Sequence, residues 1–191
     1  MDIKKEILRY KAIGDQEEKD KKLVLKYLNN IEDIFSRENE LIHFTTSAFV
    51  INKNKNKLLM IYHNIYNSWG WIGGHADGDE DLVNVAKKEI KEETGIKKVK
   101  SLINEIFSIE ILPVKGHIKN GKYVTPHIHI SIDYLFEADE NEIIIPKEDE
   151  NSGVKWIPFE NVVDSSTESH MKVIYQKAID KIKIIKKNEN H

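Results

Sequence analysis

The sequence contains no cysteine, which excludes disulfides, thiolate metal centres and cysteine nucleophiles and suits a reducing, cytoplasmic setting. Any metal site must therefore use oxygen or imidazole donors. With four prolines and nine glycines in 191 residues, the chain shows no internal repeat and no low-complexity linker. No run approaches about 18 consecutive apolar residues, so no membrane span is expected. The N-terminal stretch MDIKKEILRYKAIGDQEEKDKK carries charges every few residues without an apolar core, so no signal peptide is expected either. The formal charge is -3 and the lysines form no basic block, which argues against polymeric nucleic acid as a partner while leaving a local cationic cleft open. What is present, 40% hydrophobic and 32% charged residues, describes a soluble globular domain able to bury a core, with room for an extension.

Hydrophobic periodicity divides the chain. The first 40 residues read as helical: Ile7, Leu8 and Tyr10 fall in a short segment, and Leu23, Leu25, Tyr27, Leu28, Ile31, Ile34 and Phe35 in a longer one. Gly14 can end the first helix, and Asp15 with Glu18 makes an N-cap pair for the second. From Ile42 the pattern becomes β-rich. HFTTSAFVIN and KLLMIYH, separated by NKNKN, read as a hairpin, and Ser68 to Ile72 leads into Gly73-Gly74. A polar loop follows, then a helix from about Asp81 to Thr94 closed by Gly95. Further strands are expected at Leu102–Leu112, His127–Phe136 and Val154–Ile157, with a loop near Gly116–Gly121. A final helix carries Met171, Ile174, Tyr175, Ala178, Ile182 and Ile185 on one stripe. Two parts result: a helical extension at 1–41 and a main domain at 42–191.

The helix at 81–94 has its acids on an unusual face. At about 100° per residue, Leu82, Val85, Ala86 and Ile90 form the apolar stripe, Glu89 and Glu93 fall inside it, and Glu92 lies at its edge. Asn84, Lys87, Lys88 and Lys91 take the opposite face. Glu92 and Glu93 also sit in the last turn, where the helix dipole disfavours negative charge by about 0.3–1 kcal/mol each. Three carboxylates gathered there point to a hard divalent cation, Mg²⁺ or Mn²⁺. The other reading of KKEIKEE is a solvated charge run.

Residues 74–96, GHADGDEDLVNVAKKEIKEETGI, resemble the Nudix box of the MutT-like hydrolases. Gly74, Glu80, Glu89, Ile90, Glu92, Glu93, Gly95 and Ile96 fall in register with its pattern. Three places depart from the family: Lys88 stands for Arg, Ile72 for the usual Pro before Gly-Gly, and the loop reads Asp77, Gly78, Asp79, Glu80 with its glycine displaced by one. The displaced glycine predicts that Asp79 takes up a conformation often given to Gly. The resemblance implies an α/β fold, the Nudix α/β/α sandwich with a mixed β-sheet between helices, preceded here by the N-terminal helical extension.

Carried over position by position, the resemblance implies that Glu89, Glu92 and Glu93 bind Mg²⁺ (or Mn²⁺) with the backbone carbonyl of Gly73, while Glu80 and Lys88 orient those carboxylates. It implies a hydrolase that cleaves a phosphoanhydride bond in a nucleoside diphosphate derivative or a nucleoside triphosphate by water attack at phosphorus. Glu89 or Glu93 could be the general base. The loop PKEDENSGVKW offers Glu148 and Glu150 from outside the box; Glu150 is favoured for its place just before a Trp-containing strand, and a solvated turn is the other reading. A Nudix-fold module that binds a nucleotide with little turnover is the alternative function, and an isomerase on this fold would usually draw on cysteine.

Residues His127, His129, Ser131 and Asp133 alternate with Ile128, Ile130 and Ile132. The polar face so formed could line a substrate cleft with His127 and His129 on the phosphates, be a solvated edge, or hold a second metal. His75 is a candidate phosphate contact or a plain loop residue. Trp69 and Trp71 share a face, with Trp69 able to stack on a base and core packing as the other reading. The expected partner is a small nucleotide. The N-terminal helices could cap their own domain or cover a neighbouring subunit in a homodimer.

Overall fold

The computed structural model describes residues 2–119, 121–147 and 151–189. In chain order the elements are α1 (Ile3–Arg9), α2 (Gly14–Tyr27), β1 (Ile42–Asn52), β2 (Lys57–His63), β3 (Ser68–Gly70), β4 (Ile72–His75), α3 (Leu82–Thr94), β5 (Lys100–Ser101), β6 (Ser108–Val114), β7 (His117–Lys119), β8 (Lys122–Val124), β9 (His127–Ala138), β10 (Asn151–Pro158), α4 (Phe159–Ser165) and α5 (Ser169–Glu189). The chain forms two compact units, Met1–Ala48 with Gly73–Lys88 and Ile103–Tyr134, and Phe49–Ile72 with Glu89–Leu102 and Leu135–His191.

In the first unit, β6 runs antiparallel to β9 from Ser108↔Asp133 to Val114↔His127. The period-2 alternation places Ile109 opposite Ile132 and Ile111 opposite Ile130 on one face, and Ser108, Glu110, Ser131 and Asp133 on the other. The start of β1 lies along β9, with Thr46 Oγ1 donating to the Ile132 carbonyl at 2.9 Å and the Ser47 and Ser131 hydroxyls 2.9 Å apart. The polar stripe of β9 is thus interior, with Ser131 1% and Asp133 0% exposed, and the solvated-edge reading does not hold. The expected glycine loop contains a small hairpin, β7 with β8.

The N-terminal helices differ from their expected limits. α1 ends at Arg9, and Gly14 opens α2 instead of ending α1. Asp15 does not cap. The cap residue is Ile13, whose N–H donates to Glu17 Oε2 at 2.8 Å, while Asp15 pairs with Lys19. Glu17 is fully buried and also accepts from Tyr10 Oη at 2.5 Å and Ser108 Oγ at 3.1 Å, tying α2 to β6. Burial, then Glu17, push the Tyr10 hydroxyl far above the usual tyrosine range. α2 stops at Tyr27, and Ile34 and Phe35 beyond it are packed from turns, with Phe35 stacked on Phe44 at 4.7 Å between centroids.

In the second unit β2 is central. One edge pairs with β10 (Trp156↔Leu59); the other pairs first with β1 (Val50↔Leu59) and then with β3 (Tyr62↔Trp69), all antiparallel. The expected hairpin of β1 and β2 is present, and its turn puts Lys55 at φ 51°. α5 buries most of the expected stripe, with Met171, Ile174, Tyr175, Ala178 and Ile182 in the core and Ile185 only half-buried. α4 had no counterpart in the sequence reading. The expected strand from Leu102 begins only at Ser108. No described helix is long and apolar enough to cross a membrane.

Candidate functional site

α3 buries the predicted stripe: Leu82, Val85, Ala86 and Ile90 are all in the core. Its acids follow the wheel. Glu93 is only 4% exposed, Glu89 is half-buried and Glu92, at the edge of the stripe, is exposed. Asn84, Lys88 and Lys91 face solvent and Lys87 is half-buried. The helix closes at Gly95, at φ 76°, whose N–H donates to the Lys91 carbonyl at 3.0 Å. The main-chain carbonyl of Glu93 accepts from the side-chain amide of Asn151 at 3.1 Å, and Asn151 is fully buried at the start of β10. A polar donor from β10 thus fixes the last turn of α3, where Glu92 and Glu93 sit.

In the first unit, Gly73 lies so close to β1 that a Cβ there would sit 2.5 Å from the Thr46 carbonyl oxygen and 3.0 Å from Ser47 Oγ. Only glycine fits that approach. The loop that follows corrects the expectation for Asp79. The left-handed residues are Asp77 at φ 49° and Gly78 at φ 91°. Arg37 holds Asp77 there through two hydrogen bonds, Nε to Oδ1 at 2.6 Å and Nη2 to Oδ2, and pulls its carboxyl below the usual range. The Gly78 N–H donates to the Phe35 carbonyl at 2.8 Å. Asp79 instead accepts from the Asp81 N–H at 2.8 Å, and Asp81 caps α3 through the Asn84 N–H at 3.3 Å. Glu80 is exposed.

The polar face of β9 proves larger than its sequence stripe. His127 and His129 are joined by His75 from the end of β4 and by His43 from the start of β1. Ring centroids are 5.2 Å apart for His43–His75, 5.0 Å for His43–His127 and His43–His129, 5.0 Å for His75–His129 and 4.8 Å for His127–His129. His127 Nδ1 faces the Thr125 carbonyl at 2.8 Å, and its Nε2 lies 3.0 Å from His129 Nε2. His43 Nδ1 faces the Asn39 carbonyl at 2.8 Å. Burial, then the neighbouring Arg37 and His43, bring His75 down to about 3. Burial, then His75 and His43, bring His129 to about 2, and burial also lowers His43. His75 and His129 are thereby neutral at physiological pH, so each keeps a lone pair for a cation or a donor.

Sequence reasoning missed His43. Its signal was the alternation His43, Thr45, Ser47 in HFTTSAF, the same period that marked β9. Of the tryptophans, Trp69 is half-buried and meets Tyr62 edge to face at 5.4 Å. Trp71 packs edge to face on Phe49 and Tyr175, at 5.6 and 6.2 Å, and its main-chain N–H donates to Tyr175 Oη at 3.0 Å. Trp71 is therefore a packing residue. Glu148 and Glu150 lie outside the described residues.

A family model for the NUDIX domain matches residues 41–178. The chain belongs to the Nudix family. Over 142 residues it is 35% identical to an RNA pyrophosphohydrolase of Pelagibacter ubique, covering 71% of this chain and 88% of that protein. Among solved structures it is similar to a Caenorhabditis elegans Ap4A hydrolase in a binary complex, at TM-score 0.52 and 18% identity over 76% of this chain and 98% of that one. It is also similar to a NUDIX family hydrolase from Clostridium perfringens, at TM-score 0.51 and 22% identity over 72% and 96%. The structural likenesses show a shared fold, the α/β/α sandwich with a mixed sheet that the Nudix box implied. Family membership and the sequence relative make this Nudix protein a pyrophosphohydrolase, an enzyme acting on phosphoanhydride bonds in nucleotide derivatives.

Proposed function

We propose that the protein hydrolyses a phosphoanhydride bond in a nucleoside diphosphate derivative or nucleoside triphosphate, using Mg²⁺ or Mn²⁺ held by Glu89, Glu92, Glu93 and the backbone carbonyl of Gly73. The observation that carries this reading is α3, which takes Glu93 into the core and half-buries Glu89 on its apolar side. Carboxylates drawn toward the core at the negative end of a helix dipole form a site that a bound divalent cation would stabilise. The oxygen-only donor set suits a hard divalent ion.

Bound there, such an ion would neutralise the charge of the anhydride and acidify an attacking water. With the ion bound, Glu89, Glu93 or Glu150 would serve as the base toward the attacking water. Lys88 and Glu80 orient the carboxylates, and the Asn151 amide keeps the last turn of α3 in place. His75 and His129 are the candidate phosphate contacts; His127, expected among them, has both ring nitrogens engaged by the Thr125 carbonyl and His129 and supports His129 instead, and Trp69 offers a ring to the base.

A second reading of the substrate is favoured by the 35% identity to a protein named for RNA. Net charge argues against binding along a polymer, but a 5′-terminal triphosphate presents the same anhydride as a free nucleotide. RNA ends therefore belong among the substrates to be tried, and the exclusion drawn from composition does not reach them.

The test is release of phosphate, pyrophosphate or nucleoside monophosphate in Mg²⁺ or Mn²⁺ from nucleotide sugars, dinucleoside polyphosphates, nucleoside triphosphates and a 5′-triphosphorylated oligoribonucleotide. Turnover that falls by about 100-fold or more in Glu93→Gln with the fold intact supports the assignment. Full activity in Glu93→Gln would overturn it, and tight binding without turnover would favour the nucleotide-binding module.

A further inference from the structure

We propose that His43, His75 and His129 form a binding site for a transition-metal ion, zinc by the chemistry of its donors, distinct from the glutamates of α3. One donor nitrogen from each ring can be chosen so that all lie within 4.8 Å of one another. The three ring centroids are mutually 5.0–5.2 Å apart. Imidazoles arranged tetrahedrally around zinc, with Zn–N of about 2.0–2.1 Å, put their ring centres about 5 Å apart and their nitrogens about 3.3 Å apart. The rings are already at ligand spacing, and rotation about χ2 with a small shift brings the nitrogens together.

A second, independent observation is His43 itself. It is 3% exposed, and its Nε2 is buried with no hydrogen-bond partner. Its other nitrogen faces the Asn39 carbonyl at 2.8 Å, which places the proton on Nδ1 and the lone pair on Nε2. Ligating histidines are commonly held in this way by a backbone carbonyl. A buried nitrogen left without a partner is costly, and ligation would satisfy it. His127, fixed by the Thr125 carbonyl, orients His129 through the 3.0 Å contact between their Nε2 atoms.

Nearby charge is mixed, with Arg37 and Lys119 disfavouring positive charge at His75 and Asp77 favouring it. Arg37 is the cation closest in effect to His75, and it is paired with Asp77. His75 and His129 are only half-buried, so an ion can enter and a fourth position is left for water or a phosphate oxygen. Imidazole donors favour zinc or cobalt, whereas the carboxylates of α3 favour magnesium, so the two sites can be loaded separately.

The test is titration of the chelator-stripped full chain with Co²⁺ in excess Mg²⁺, followed by visible absorption. The expected result is one equivalent of Co²⁺ with the intense bands of four-coordinate cobalt, displaced by Zn²⁺. The bands should be lost in His75→Gln and in His129→Gln and kept in Glu92→Gln. Far-UV circular dichroism of the metal-free variants checks folding, and two separate ligand variants cover the case in which one fails to fold. Absence of the bands in the wild type, their persistence in both folded histidine variants, or their loss in Glu92→Gln would each overturn the proposal. Hydrolysis that fails in Glu93→Gln bears on the α3 site alone, so the two assignments fail separately.

Discussion

Acid should destabilise this protein through His75 and His129. Both rings are held neutral in the fold, His75 at about 3 and His129 at about 2 against an ordinary value of 6.5. The unfolded chain therefore binds more protons throughout the interval between those values. Stability is held above the ordinary imidazole range and is lost as the pH falls from 6.5 toward the folded values. Moving from about pH 8 to about pH 5 costs about 2 kcal/mol per ring, or about 4 kcal/mol for the pair. His43 adds a loss of the same sign. At about 2–4 °C per kcal/mol for a chain of this size, Tm falls by about 8–16 °C. The assay is thermal unfolding in chelator across this pH range, with His75→Gln, His129→Gln and the double variant as controls. The double variant should show a much flatter profile. A wild-type Tm that is level down to about pH 5, or a double variant with the same slope as the wild type, would refute neutral burial of the cluster.

Further substitutions test the surroundings of the box. Gly73→Ala places a methyl 2.5 Å from the Thr46 carbonyl and should cost about 2 kcal/mol or more in urea unfolding. Tyr175→Phe strips the acceptor from the Trp71 main-chain N–H, 3.0 Å away, for a loss of about 1–3 kcal/mol measured by the same method. Asn151→Ala removes the donor to the Glu93 carbonyl. It should lower stability by about 1–2 kcal/mol and reduce kcat more than it raises KM, since the turn carrying Glu92 and Glu93 loosens. Arg37→Ala removes two hydrogen bonds to the Asp77 carboxylate and should cost about 1 kcal/mol, read as a lower urea midpoint, because those bonds help to hold Asp77 at φ 49°.

Why α3 could be read from sequence and the histidine group could not is a matter of contact range. The burial of Glu93 and Glu89 follows from a 3.6-residue period within 13 residues, so every term needed is local. The same holds for the stripe of α5 and for the strand alternation of β9. The conformation of Asp77 is set by Arg37, 40 positions away, and no local rule distinguishes Asp77 from Asp79 as the strained residue. Glu17 displaces Asp15 as the capping group because it also meets Tyr10 and Ser108, the latter 91 positions on. The histidine group needs β1, β4 and β9 to be neighbours before it exists at all. Its members were visible singly as half of an alternation on each strand, and only the register of the sheet joins the halves. A polar stripe on one strand is ambiguous between edge and cleft. Two matching stripes, His43-Thr45-Ser47 and His127-His129-Ser131, remove the edge alternative, because side chains such as Ser47 and Ser131 must meet face to face across neighbouring strands, as their hydroxyls do at 2.9 Å. Paired polar alternations on two strands therefore carry more information about an interior site than either stripe alone, and His43 belongs with His127 and His129 by that pairing.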